Sequence, residues 1–414
     1  MTAKAERWAL VNGEFLLPDG IRRDVAVMIE GETVGAVVDA ADRATLGGVP
    51  ILDLGGRLAT PGLIDLHVHG GFGYAFDRID ELGTEPSVPA VLRRLARSGV
   101  TSAQVSLVSA PVPQLCARLA QLAVQDTARV DGAQFLGVHL EGPFLAVAQC
   151  GAHDPAALCD PAPADVTALL RHRDLIRMVT LAPELPGAID AVTRFASAGI
   201  VVAAGHSAAV VDDLMAAQAA GLRHVTHLWS GQSTTQRHGA WRVPGLLEAA
   251  LASTGLTAEV IADGRHLPPH LLEIARRCLG ERLVVVSDGT PGTGMPRGYT
   301  YQLGAVQCEV GDGVGMVVGA DAFGGSTATL PRMLRHLHDE LGWPVAEAVA
   351  TVTSRPAAVA GLGDRKGAVA AGMDADLAVF GEGFRPWGTV LRGRWLAADD
   401  MDDHLDHPSG RTTA

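Results

Sequence analysis

Several things are missing from this chain of 414 residues, and each absence closes a class of function. No run of about 18 apolar residues marks a membrane span. The N-terminus lacks the charged-then-apolar pattern of a secretory signal. Five cysteines (Cys116, Cys150, Cys159, Cys278, Cys308) are scattered without C-x-x-C spacing. That argues against a thiolate metal site or a disulfide framework and for reduced thiols. Together these absences predict a soluble, cytoplasmic protein with no membrane partner. A net charge of −13 without a basic patch speaks against nucleic acid as a partner. There is no Walker-type glycine loop, and no internal repeat beyond the alternation described next. Lysine occurs only twice, at Lys4 and Lys366.

Eight apolar, strand-like stretches are present: Leu63 to His69, Thr101 to Val108, Phe135 to Glu141, Ile176 to Glu184, Ile200 to His206, His224 to His227, Leu256 to Asp263 and Arg282 to Asp288. Segments of helical composition separate them, among them Val88 to Ser98, Val112 to Val130, Gly187 to Ala198 and Leu267 to Leu279. Strands alternating with helices predict a parallel sheet covered on both faces. Eight such units fit a (β/α)8 TIM barrel over residues 59–364, whose chemistry sits at the strand C-termini. Five of the strands end in residues of metal-ligand type: His67 and His69, Glu141, His206, His227 and Asp288. His67 and His69 are two apart, so on a strand both imidazoles face one way and can share an ion. Imidazole and carboxylate donors suit zinc first, and also iron, manganese or cobalt.

The chain is long for one barrel. Short strand-like segments at both ends (residues 7–58 and 374–397) are expected to pair into a small β-sandwich domain of residues 1–58 and 365–401. The polar stretch 402–414 is expected to be disordered. Neither lysine falls in the barrel, so no carboxylated lysine can bridge two metals there. Glu141 is the carboxylate left for a central role, exposed by the sharp exit at Gly142-Pro143. The loop Gly289 to Gly294 reads as a flexible segment able to act as a lid, and Cys150 falls in a loop near Glu141.

The motifs P-G-L-I-D-L-H-V-H-G (61–70), H-L-E-G-P-F (139–144), G-A-H (151–153), T-L-A-P-E (180–184), A-G-H-S (204–207), T-H-L (226–228), I-A-D-G-x-H (261–266), S-D (287–288) and G-S-T (325–327) resemble the N-acetylglucosamine-6-phosphate deacetylase family of the amidohydrolase superfamily. The resemblance runs in order from about residue 50 to 380. It implies a homodimeric, metal-dependent hydrolase that removes the acetyl group from an N-acetyl amino sugar phosphate, with one or two divalent ions per subunit. Glu141, His206 and His227 would hold the principal ion, and His67 and His69 a second. Asp288 would be general base and then acid, and His153 would polarise the acyl carbonyl. His266 would contact the sugar, in a substrate site with Ala152, Ser230, Gly231 and Arg242 on one side and Asp263, Phe323, Gly324 and Gly325 on the other.

One stretch departs from the family pattern. After T-H-L the family has an aromatic residue, then N-A-M, then R-E-P-G. Here the chain reads Trp229-Ser230-Gly231-Gln232-Ser233-Thr234-Thr235, then Arg242-Val243-Pro244-Gly245. Arg242 stands as a candidate anion clamp, with Arg237 and His238 as further candidates. The altered loop also suits an unphosphorylated or differently substituted N-acyl amino sugar, or another N-acyl amine. A non-catalytic binding protein on this scaffold is the remaining alternative.

Overall fold

The computed structural model describes residues 7–78, 87–124 and 131–398. Eight parallel strands form one sheet, in chain order around its circumference. They are β1 (Leu63–Val68), β2 (Val100–Leu107), β3 (Gln134–Glu141), β4 (Ile176–Leu181), β5 (Val201–Ala204), β6 (His224–Val225), β7 (Thr257–Val260) and β8 (Leu283–Val285). The sheet closes where the chain leaves β8. Gly289 bridges Val68 in parallel, and its carbonyl accepts the amides of His69 and Gly70 at 2.7 and 3.1 Å. The expected TIM barrel is therefore present. Except in β2 and β3, the strands are shorter than their apolar runs, because the residues that follow turn out of the ladder to shape the mouth.

Burial explains the alternation. β2 is buried at every position, as a strand covered on both faces must be. The outer helices carry apolar residues at helical spacing instead. In Ser87–Arg97, Val88, Val91, Leu92 and Leu95 face inward, and in Ala188–Ser197, Ala191, Val192 and Phe195 do so. Phe195 alone, wholly buried, contributes about 1.5–3 kcal/mol. The helix expected from Val112 ends at Ala123, and residues 125–130 of that expectation lie outside the described residues.

The two ends of the chain build two further sheets. One holds Arg7–Val11, Val25–Glu30, Thr33–Asp39 and Ile51–Asp53; the other holds Glu14–Leu17, Gly20–Arg22, Leu58–Pro61, Leu377–Phe380, Pro386–Leu391 and Arg394–Ala397. They share a core of Leu10, Phe15, Val27, Ile29, Leu377, Val379 and Val390. The strand Leu58–Pro61, which spans the expected boundary after residue 58, pairs antiparallel with Leu377–Phe380. Lys366 is buried there against Asp374, at 3.2 Å, and Asp376. The stretch 402–414 lies outside the described residues.

A third feature went unread in the sequence. After β8, the strands Thr300–Leu303, Val306–Val310, Val314–Val317 and Phe323–Ser326 form an antiparallel sheet in chain order. Its last strand returns to the barrel mouth, where Gly289 bridges Ser326. This corrects the expected lid. Gly289 to Thr293 is buried, and the Thr290 amide and hydroxyl both donate to the Ser326 carbonyl, at 3.2 and 3.1 Å. A segment tied on both sides is wall.

Candidate metal-dependent active site

The strand-end residues converge at the mouth. Glu141, the last residue of β3, lies between two pairs of imidazoles. Its Oε2 is 3.1 Å from His69 Nε2 and 3.5 Å from His67 Nε2. Its Oε1 is 2.8 Å from His227 Nε2 and 3.1 Å from His206 Nε2. Within each pair the Nε2 atoms approach to 3.0 Å (His67, His69) and 3.2 Å (His206, His227). Asp288 Oδ1 stands 3.4 Å from His69 Nε2 and 3.6 Å from His67 Nε2. All six side chains are buried.

The donor chemistry tests whether a cation belongs there. His67 Nδ1 faces a carboxylate oxygen of Glu259 at 3.2 Å. His206 Nδ1 faces the Gln149 carbonyl at 2.8 Å. Only an N–H satisfies an oxygen acceptor, so in the neutral rings the proton sits on Nδ1 and a bare Nε2 turns toward Glu141. Imidazole lone pairs and both oxygens of one carboxylate thus crowd a buried space, which is unfavourable unless a cation lies among them. Two groups of donors, His67–His69–Glu141 and Glu141–His153–His206, each lie within 4.8 Å of one another. The residues fit a divalent ion with nitrogen and oxygen ligands.

His153 differs from His67 and His206 in its tautomer. Its Nδ1 accepts the Ser109 backbone N–H at 3.3 Å, leaving the proton on Nε2, 3.3 Å from Glu141 Oε2. Burial pushes its pKa down to about 4, against the raising effect of Glu141. It is therefore a neutral hydrogen-bond donor throughout the neutral range. Asp288 Oδ1, within 3.6 Å of the Nε2 atoms of both His67 and His69, is a carboxylate in the cavity wall.

Backbone strain collects at the same place. His206, Trp229 and Asp288 have φ of +47°, +69° and +46°, a region side-chain-bearing residues rarely adopt and one that clusters at functional sites. The turn after β6 also needs Gly231: at φ +70°, an added Cβ would lie 2.7 Å from His206 Nδ1.

A cavity of about 420 Å³ opens over these groups. Of the residues predicted from sequence, His69, Glu141, His153, His206, His227, Asp288, Ala152, Ser230, Gly231, His266, Phe323 and Gly325 line it. His67 lies beneath, fully buried. Three predicted substrate contacts are absent from its lining. Asp263 sits behind His266, its Oδ2 accepting from His266 Nδ1 at 2.7 Å, so it holds that ring. Gly324 turns its carbonyl to the Tyr301 hydroxyl, at 2.8 Å. Arg242 is exposed on a hairpin, Gln236–His238 with Trp241–Val243, and donates to the Ala240 carbonyl at 2.9 Å. The stretch between Thr235 and Pro244 forms this hairpin, which carries Arg237, His238 and Arg242 outside the cavity of their own chain. Cys150 does not line the cavity either; its carbonyl accepts the His153 amide at 3.0 Å.

The sequence reading assigned no role to Trp229, Leu303 and Asp321, all of which line the cavity, nor to Glu259. Glu259 did carry a signal, as a lone charge within the apolar run Leu256 to Ala262. Asp321 and Leu303 carried none, because the sheet that brings them to the mouth went unread.

Comparison with known proteins adds to this geometry. The profile of the amidohydrolase family matches residues 58–396. N-acetylglucosamine-6-phosphate deacetylase of Vibrio furnissii is 34% identical over 355 residues, 86% of this chain and 84% of that protein. The Homo sapiens protein of that name is also 34% identical, covering 83% and 85%. Among solved structures, a Mycobacterium smegmatis N-acetyl-D-glucosamine-6-phosphate deacetylase variant in complex with N-acetyl-D-glucosamine-6-phosphate superposes with a TM-score of 0.84. It is 32% identical, covering 94% of this chain and 99% of that one.

Proposed function

This chain belongs to the N-acetylglucosamine-6-phosphate deacetylase family of amidohydrolases, and from that premise we propose that it hydrolyses N-acetylglucosamine-6-phosphate to glucosamine-6-phosphate and acetate. The observation that carries the reading is the pair of half-sites sharing Glu141, with Asp288 and the donor His153 on the same cavity. His67 and His69 would hold one divalent ion and His206 and His227 another, with Glu141 common to both. Zinc is the ion the donors suit first. When bound, such an ion supplies the Lewis acidity that lowers the pKa of a water from 15.7 toward about 7.

The chain's own groups then divide the work. Asp288 takes the proton of the water as its oxygen attacks the acyl carbon. His153 Nε2–H donates to the carbonyl oxygen as negative charge develops on it. The C–N bond breaks, and Asp288 returns the proton to the departing nitrogen, so an amine leaves rather than an amide anion. Trp229, His266 and Phe323 bound the space available to the sugar. His266 is held by Asp263 and lies against Phe323, ring centroids 4.8 Å apart.

A second reading, an unphosphorylated N-acyl amino sugar, is favoured by one observation. Among the described residues lining the cavity there is no Arg or Lys, and Asp321 adds a carboxylate. The deciding experiment compares kcat/KM for N-acetylglucosamine-6-phosphate and N-acetylglucosamine on zinc-loaded protein. A preference for the phosphorylated sugar of about 10²-fold or more, ~2.7 kcal/mol, supports the first reading. Equal rates support the second, and no turnover of either overturns both. We also propose a homodimer, in keeping with Trp241 standing 79% exposed on the hairpin. A cytoplasmic location accords with the scattered, unpaired cysteines.

A further inference from the structure

The Glu141 centre is served by a second carboxylate that no ligand role accounts for. Glu259 lies in β7, inside the barrel and fully buried. A buried, ionised carboxylate is costly unless its oxygens are well partnered. One oxygen, Oε2, is 3.2 Å from His67 Nδ1 and 3.4 Å from the backbone N–H of His227. The other, Oε1, is 3.0 Å from His224 Nε2, whose Nδ1 lies 2.6 Å from the Thr257 hydroxyl. The two half-sites differ in how their rings are held. His206 leans on the Gln149 carbonyl, while the Nδ1 atoms of His69 and His227 have no hydrogen-bond partner. Among the described residues, Glu259 is thus what orients an imidazole in the His67–His69 half-site.

We propose that Glu259 is the positioning residue of that half-site: by accepting the Nδ1–H of His67 it fixes the tautomer that turns a bare Nε2 to the cavity, and so sets the affinity for the ion held by His67, His69 and Glu141. Fixing ring and tautomer of a ligand histidine in this way accounts for about 10–100-fold in metal affinity. His67 is also wedged edge-on against His139, ring centroids 4.6 Å apart. His139 bonds Ser106 and Thr180, so packing limits where the ring lies, whereas the hydrogen bond to Glu259 decides which nitrogen is bare.

The proposal rests on the metal-centre reading above, and its test uses no substrate, so failure of the deacetylase assignment would leave it standing. Zinc stoichiometry and the dissociation constant of each equivalent, by chelator competition, would be measured on wild type, Glu259→Ala, Glu259→Gln and His224→Gln. Two equivalents are expected in wild type. Glu259→Ala should weaken one of them about 10–100-fold and the other by less than about threefold. Glu259→Gln, whose amide oxygen still accepts from Nδ1–H, should fall between alanine and wild type. His224→Gln, which alters the far side of Glu259 only, should leave both constants as they are. Equal weakening of both ions in Glu259→Ala, a wild type that takes a single ion, or unchanged constants in both Glu259 variants would overturn the proposal. Should the alanine variant fail to fold, the glutamine variant decides, because no selective loss in it refutes the charge-assisted hydrogen bond.

Discussion

His153 has two jobs open to it, and its neighbours choose between them. Its Nε2 lies close enough to Glu141 and His206 to join an ion with them. A ligand needs a bare nitrogen, however, and the Ser109 N–H claims the Nδ1 lone pair, which puts the proton on Nε2. The ring is then a donor aimed at the cavity, buried and kept neutral by its pKa of about 4. A single preorganised donor to a developing oxyanion contributes about 10²–10³ in kcat, or ~2.7–4 kcal/mol. His153→Ala should therefore lower kcat by about that factor. KM should move by less than about threefold, because the donor acts mainly as charge develops in the transition state. Steady-state kinetics on the zinc-loaded variant reads the first quantity, and elemental analysis of the same sample reads its metal. Wild-type zinc content with a large loss in kcat is the expected result. Loss of one equivalent of zinc would refute the tautomer argument and make His153 a ligand; a kcat within threefold of wild type would remove it from the chemistry.

Two further outcomes are expected. Asp288→Asn should retain both metal equivalents and lose about 10²–10⁴ in kcat, since the amide cannot carry the proton from water to nitrogen; a near-normal rate would exclude Asp288 as the shuttle. Burial pushes the Cys308 thiol up to about 11, against the lowering effect of its Tyr301 hydrogen bond, whereas Cys278 is exposed. In native protein at mildly alkaline pH a thiol-specific reagent should modify Cys278 promptly and Cys308 only on unfolding, as peptide mass analysis would show; equal labelling rates would contradict the packing of the antiparallel sheet over the mouth.

What was legible in advance is what repeats locally. A strand covered on both faces must be apolar along its length, and a helix on the barrel's outside must be apolar on one face. Eight such alternations therefore announced the barrel. A polar residue at the end of an apolar run is conspicuous for the same reason, which is why His67, His69, Glu141, His206, His227 and Asp288 stand out in the sequence. The short lysine list likewise pointed to Glu141 as the central carboxylate, and Lys366 is buried away from the mouth, paired with Asp374 and Asp376.

Other features depended on residues distant in sequence meeting in space. Gly289 to Thr293 has the composition of a mobile loop, but pairing with Ser326 makes it wall. Arg242 has the chemistry of an anion clamp, but the hairpin pairing Arg237 with Arg242 carries it into solvent. Glu259 and His67 are 192 positions apart, and nothing in either segment encodes their hydrogen bond. The chain alone thus determined the barrel and the donor residues at its mouth, because periodicity and burial are properties of contiguous segments. Tertiary structure alone decided which nitrogen His67, His153 and His206 bare, which carboxylate lies between the two histidine pairs and which stands behind them, because those depend on distances of about 3 Å between separate strands.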